Sequence, residues 1–94
     1  MSSPKIKLEY FQHFLDQRKK YLKNNSKRFA EYKKATALFL SNPEHPGLNI
    51  EKLKNAKGIY TIRLNKSDRV FFIWKKENAA LFIDIGKHDK YRKY

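Results

Sequence analysis

Ile59-Tyr60-Thr61-Ile62-Arg63-Leu64, then Asn65-Lys66-Ser67-Asp68, then Arg69-Val70-Phe71-Phe72-Ile73-Trp74 is the stretch that decides the fold. Its flanks are rich in β-branched and aromatic residues, which suit a pleated, half-buried surface, and the polar residues between them are turn formers. The stretch therefore reads as a β-hairpin. Downstream, Lys75 to Asn78 makes a second reversal and Ala80-Leu81-Phe82-Ile83-Asp84-Ile85 a further strand that ends at Gly86, giving an antiparallel meander. Upstream, Leu48, Ile50 and Leu53 nearly alternate, which adds a weak strand within residues 48–54 and leaves a turn over residues 55–58.

The first half of the chain has a different period. Phe11, Phe14, Leu15 and Leu22 fall on one stripe at helical spacing, with Arg18, Lys19 and Lys20 clustered nearby, and Asn24-Asn25 ends that helix. Ser26 is the expected N-cap of a second helix whose Phe29, Tyr32, Thr36, Ala37 and Leu40 recur every three or four residues. Asn42-Pro43 stops it, and Pro46-Gly47 is another breaker. Ahead of both helices, Lys5-Ile6-Lys7-Leu8-Glu9-Tyr10 alternates charged and apolar residues as a short strand does, although Leu8 serves equally as the opening of the helix. The expected architecture is α+β: a short N-terminal strand, a two-helix hairpin, then an antiparallel β-meander with a short basic C-terminal tail. The helices cover one face of the sheet. The other face stays partly open, and the polar residues embedded in strands, Arg63, Arg69 and Asp84, are expected to point toward water.

Ninety-four residues and 11.3 kDa leave room for one domain, residues 1–94. A chain this short buries only about 60 to 65% of its unfolded surface. Its stability must come from a 40% hydrophobic content unusually rich in Phe and Tyr, because no cysteine is present to form a disulfide. The missing cysteine also removes thiol catalysis and Cys-based zinc sites, and His13, His45 and His88 are scattered. No metal or other cofactor is expected. No run of eighteen apolar residues exists and the Met1 end has no apolar signal core, so the expected location is the cytoplasm, with no membrane partner.

Lys and Arg number 22 against 9 Asp and Glu, a formal net charge of +13. Both halves of the chain carry the excess, so it belongs to the folded surface and not to a disordered arm. Such a surface collects polyanions: nucleic acid, anionic lipid or an acidic protein.

Arg63 lies within its strand and Arg69 opens the next, across a short turn, so the two guanidinium groups are expected to be neighbours. Such a fork can bind a phosphodiester and stabilise charge developing at phosphorus. The alternative is that Arg63 merely pairs with a carboxylate such as Asp84. Lys52, Lys54 and Lys57 could aim ammonium groups along a nucleic-acid backbone, or form an ordinary solvated face. The C-terminal run Gly86-Lys87-His88-Asp89-Lys90-Tyr91-Arg92-Lys93-Tyr94 combines an imidazole, two phenols and several cations, among them Lys87, Lys90 and Arg92. That mixture suits metal-free RNA cleavage, in which a base takes the 2′-hydroxyl proton, cations stabilise the phosphorane and an acid protonates the leaving oxygen. Against it stand a His88 hydrogen-bonded to Asp89 or to backbone, and Tyr91 and Tyr94 as hydrophobic plugs at the sheet edge.

In this order, Asn42-Pro43 and Pro46-Gly47-Leu48, Lys52-Leu53-Lys54, Ile59 to Leu64, Asp68-Arg69-Val70 and the terminal Ile85-Gly86-Lys87-His88 run resemble the RelE/ParE toxin superfamily over essentially the whole chain. The resemblance implies a type II toxin neutralised by a cognate antitoxin. In the RelE branch it implies a ribosome-dependent endoribonuclease acting on mRNA, and in the ParE branch a poison of DNA gyrase; an inactive antitoxin-binding member is a further alternative. By the resemblance, Arg63 and Arg69 match phosphate-binding and transition-state arginines, Lys52 and Lys54 match basic groups, and His88 matches a terminal histidine. Tyr91 or Tyr94 would be the terminal tyrosine, since Asp89 stands where several ribonuclease relatives have one. The general base is left among Glu51, a lysine and His88.

Overall fold

The structure is a computed structural model and describes residues 5–54 and 57–94. The Met1 end and part of the turn expected over residues 55–58 therefore lie outside the described residues. In chain order the elements are β1 (Lys7–Tyr10), α1 (Gln12–Leu22), α2 (Ser26–Ser41), a 3-10 turn (Pro46–Leu48), β2 (Glu51–Lys52), β3 (Ile59–Arg63), β4 (Asp68–Lys76), β5 (Ala79–Lys87) and a second 3-10 turn (His88–Lys93).

The sheet order is β1-β5-β4-β3-β2. Strands β2 to β5 form the expected antiparallel meander, with Ile59 opposite Ile73 and Arg63 opposite Arg69. Strand β1 returns to pair in parallel with β5, Lys7 opposite Ala79 and Tyr10 opposite Phe82, so the five-stranded sheet is mixed. A parallel neighbour requires a long connection, and the two helices lie within that connection. No helix among the described residues is long and apolar enough to cross a membrane.

The helices cover one sheet face. Phe14, Tyr21, Ala35 and Phe39 pack on Ile62, Val70, Phe72, Ala80, Phe82 and Ile85. Phe14, Phe39, Phe72 and Phe82 lock this core through ring pairs with centroids 5.3 to 6.2 Å apart. The other face carries a smaller cluster of Ile59, Phe71 and Ile83, with Leu53, Ile73, Leu81 and Tyr94 packed against it. Among the described residues, neither α1 nor α2 contributes to that cluster.

Several expectations are corrected. Helix α2 buries Ala35 and Phe39, whereas Phe29, Ala37 and Leu40 are exposed and Tyr32 and Thr36 are half-buried. Apolar residues occupy two sides of this helix, and Tyr32, Ala35, Leu38 and Phe39 have helical spacing as good as that of the chosen stripe. In α1, Phe11 precedes the helix as its exposed N-cap, and Tyr21 is a core residue instead. Asn25, not Ser26, caps α2: its Oδ1 accepts the Arg28 N–H at 3.0 Å. The basic tail is a 3-10 turn folded against the sheet.

Asp84 departs most from expectation, being fully buried instead of hydrated. Phe71 faces Asp84 while Phe72 faces Phe82, so Ile83 is an extra residue and β5 bulges there. The pairing of β1 stops at Phe82, and the chain turns into α1 with the Phe11 N–H donating to the Phe82 carbonyl at 3.0 Å. Helix α1 and the terminal turn then close over the part of β5 that β1 leaves unpaired.

Candidate functional site

Side chains alternate across a strand, so Arg63 shares the helix-free face with Ile59, and Arg69 shares it with Phe71. The two arginines are direct cross-strand partners at the end of the sheet where β3 turns into β4. Asn65 builds that turn. Its Oδ1 accepts the N–H groups of Ser67 at 3.0 Å and Asp68 at 2.9 Å, a side-chain mimic of a backbone turn. Arg69 is fixed to the same turn, its Nη1 donating to the Asn65 carbonyl at 2.7 Å and the Asp68 carbonyl at 2.9 Å. Arg63 is exposed and has no hydrogen-bond or ion-pair partner among the described residues.

Burial and the neighbouring Arg63 charge lower the pKa of Arg69 from its ordinary value, and the Glu51 and Asp68 carboxylates oppose them. Arg69 nevertheless remains cationic at any physiological pH. Like charges held opposite each other on a sheet repel, and an anion between them relieves the repulsion. Glu51 faces Thr61 across β2 and β3, on the same side as the arginines. Lys52 faces Tyr60 and so projects to the other side of β2, and Lys54 and Lys57 are exposed beyond the strand.

The His88 backbone N–H donates to the Ser67 carbonyl at 2.7 Å, which sets the histidine at this same sheet end, two residues beyond Gly86, the residue opposite Arg69. Its imidazole is exposed and makes no hydrogen bond among the described residues, to Asp89 or otherwise. Tyr91 is also exposed, beside the Arg92 guanidinium. Tyr94 is not: it packs on Phe71 and donates its hydroxyl to Asp84 Oδ2 at 2.8 Å.

Asp84 is the anchor of the terminal turn. Its Oδ1 receives Lys90 Nζ at 2.9 Å and the Ile85 N–H at 2.8 Å, with His13 Nε2 3.4 Å away, and Lys90 also donates to Gln17 Oε1 at 3.3 Å. Burial works against the Asp84 charge, but the hydrogen bonds from Lys90, Tyr94 and Ile85 outweigh it and hold the pKa below the usual carboxylate range. Burial and the Asp84 charge push the Tyr94 phenol well above its ordinary value. Arg63 is thus not the partner of Asp84. The carboxylate inside Ile83-Asp84-Ile85 was the only sequence signal of this cluster, and nothing marked His13 or Gln17 as its neighbours.

A second buried pair was also missed. Tyr21 donates its hydroxyl to Asp68 Oδ2 at 2.6 Å, tying α1 to the start of β4. Among the described residues, no three His, Asp or Glu side chains group so as to hold a metal ion. What the sheet end offers is two adjacent cations, Arg69 held by the turn and Arg63 free among the described residues, on one face with a carboxylate and with an imidazole nearby, which is the equipment for binding a phosphodiester and moving a proton beside it.

No protein family's sequence model and no curated relative matches the chain. Solved structures do. A YoeB/ParE toxin from Agrobacterium tumefaciens superposes with a TM-score of 0.72 at 14% identity, covering 88% of this chain and 99% of that one. YafQ from E. coli, in its complex with DinJ, gives 0.73 at 17% identity over 90% of this chain and 96% of its own. YoeB from Staphylococcus aureus, in its complex with YefM, gives 0.70 at 20% identity over 90% of this chain and 99% of that one. Over nine-tenths of its length this chain has the RelE-like fold of the YoeB, ParE and YafQ toxins.

Proposed function

We propose that the protein is the toxin of a type II toxin–antitoxin pair and acts as a ribosome-dependent, metal-independent endoribonuclease on mRNA. The observation that carries this reading is the cross-strand Arg63–Arg69 pair, with Glu51 on its face and His88 at its end of the sheet. The scissile phosphate lies against the two guanidinium groups, which replace a metal as the source of positive charge. Glu51 or His88 removes the 2′-hydroxyl proton, the 2′-oxygen forms its bond to phosphorus, and the bond to the 5′-oxygen breaks as a proton reaches it from His88 or Tyr91. No water is consumed, so the products carry a 2′,3′-cyclic phosphate and a 5′-hydroxyl. Lys52, Lys54, Lys57, Lys87 and Arg92 hold the surrounding RNA of the message and ribosome.

A cognate antitoxin is the second proposed partner. YafQ and YoeB have been solved as toxin–antitoxin complexes with DinJ and YefM, and a surface of +13 net charge suits an acidic segment.

The test is growth after induction of the wild type and of Arg69→Ala, with primer extension on a reporter mRNA in the same cultures. Arrest with codon-phased cuts in the wild type alone is the expected result. Arrest without cuts would turn the search to gyrase or another protein target, and 5′-phosphate ends would overturn the mechanism.

A further inference from the structure

The cations at this end of the sheet divide between two faces. Lys87 does not join Arg63 and Arg69. It lines a cavity of about 260 Å³ on the helix side of the sheet, together with Lys20 and Tyr21 of α1, Arg28 from the first turn of α2, and Lys90. The cavity floor is the Tyr21–Asp68 pair. Asp68 is only 5% exposed, and its carboxylate already accepts from Tyr21, Asn65 and Ser67. Lys90 is committed to Asp84.

Three cations from three elements remain, Lys20, Arg28 and Lys87, none in an ion pair with a carboxylate among the described residues. Arg28 is held in place: its Nη1 donates to the Tyr21 carbonyl at 3.1 Å, and its guanidinium carbon lies 4.4 Å from the centroid of the Tyr21 ring. A guanidinium braced on an aromatic ring, with two ammonium groups around the same small cavity, is a receptor for a tetrahedral oxyanion. The volume suits a phosphate group and falls short of the space that larger ligands occupy.

The sheet supplies the continuity. Lys87 faces Asp68 and Gly86 faces Arg69 across β4 and β5, so a single residue step around the end of the sheet separates the cavity from the arginine pair. A polyanion lying against Arg69 and passing over the turn at Ser67 reaches Lys87 next.

We propose that the cavity formed by Lys20, Arg28 and Lys87 binds a second backbone phosphate of the RNA strand whose scissile phosphate lies against Arg63 and Arg69. The inference rests on the RNA reading of the preceding section. The strand then wraps around the end of the sheet, and its grip extends along a track instead of a single phosphate.

The experiment measures binding of the full chain to a short 2′-O-methyl oligouridine, which cannot be cleaved, by fluorescence anisotropy across a potassium chloride series. The variant is Lys20→Ala/Lys87→Ala, and the charge-matched control is Lys33→Ala/Lys34→Ala on the exposed side of α2. Losing one phosphate contact on a single strand lowers the slope of log K against log salt by about 0.7 and the affinity roughly fivefold. That change in the Lys20/Lys87 variant, with the control like wild type, supports the second subsite. Equal slopes in variant and control overturn it. If the wild type fails to cut mRNA in cells while the slope difference persists, the endonuclease reading falls and the phosphate subsite stands.

Discussion

Tyr94 donates its hydroxyl to the fully buried carboxylate of Asp84 at 2.8 Å, and this bond distinguishes the two terminal phenols. A hydroxyl aimed into the protein at a carboxylate is not available to a leaving oxygen, whereas Tyr91 stands exposed. Tyr94→Phe keeps the ring on Phe71 and loses one hydrogen bond to a charged group, so it should lower stability by about 1.5 kcal/mol in urea unfolding and leave mRNA cleavage largely intact. Tyr91→Phe should do the opposite, with stability within about 0.5 kcal/mol of wild type and slower cleavage. Loss of cleavage in Tyr94→Phe without loss of stability would reverse the assignment.

The same cluster gives the protein an acid limit and an alkaline one. Asp84 and Asp68 are both held below the usual carboxylate range, in each case by hydrogen bonds that outweigh burial. Their stabilisation is complete above the unfolded carboxylate pKa of about 4 and is lost as pH falls through the lower folded values. Tyr21 and Tyr94 are raised, by burial first and then by Asp68 and Asp84. Their stabilisation is complete below about pH 10 and is lost as pH rises through the higher folded values. Urea midpoints plotted against pH should therefore fall at both ends. Asp84→Asn should flatten the acid limb, and an acid limb as steep as wild type in that variant would remove Asp84 from the account.

Much of the fold was legible because the information was local. The strands of the meander are short runs of β-branched and aromatic residues between turn formers, and the brief reversal at residues 65–68 was enough to set Arg63 against Arg69. Three features were not local. The buried side of α2 depends on which of two apolar stripes meets the sheet. Asp84 was expected at a hydrated face because a charged side chain is seldom fully buried, and the bulge at Ile83 that accompanies its burial is a property of the pairing with β4. The two faces of the basic sheet end could not be separated either, since Lys87 and Arg69 part only once the register of β4 and β5 is known.

The choice between the α2 stripes is testable directly. Phe39 is completely buried against Phe72, Phe82 and Trp74, while Phe29 is 53% exposed. Phe39→Ala should cost about 3 to 5 kcal/mol, enough to unfold much of so small a protein. Phe29→Ala should change stability by no more than about 0.5 kcal/mol. A large loss for Phe29→Ala with little for Phe39→Ala would mean that the helix packs with the other stripe inward.

Gly86 joins the arginine pair to the terminal turn, and its backbone permits no other residue cheaply. Its φ is +149°, and a Cβ there would meet Lys90 Cε at 2.7 Å. Gly86→Ala should therefore both strain the strand and push Lys90 off Asp84, for a combined loss of about 2 to 4 kcal/mol. Amide exchange should then quicken through residues 88–93, because the Lys90–Asp84 contact fastens that turn. The steric and electrostatic parts are separable. In a Lys90→Ala background the obstructing side chain and its ion pair are already gone, so Gly86→Ala should cost only the backbone strain and the two substitutions should be less than additive. Strict additivity would show that Gly86 is required by its backbone conformation alone and that Lys90 plays no part in the constraint.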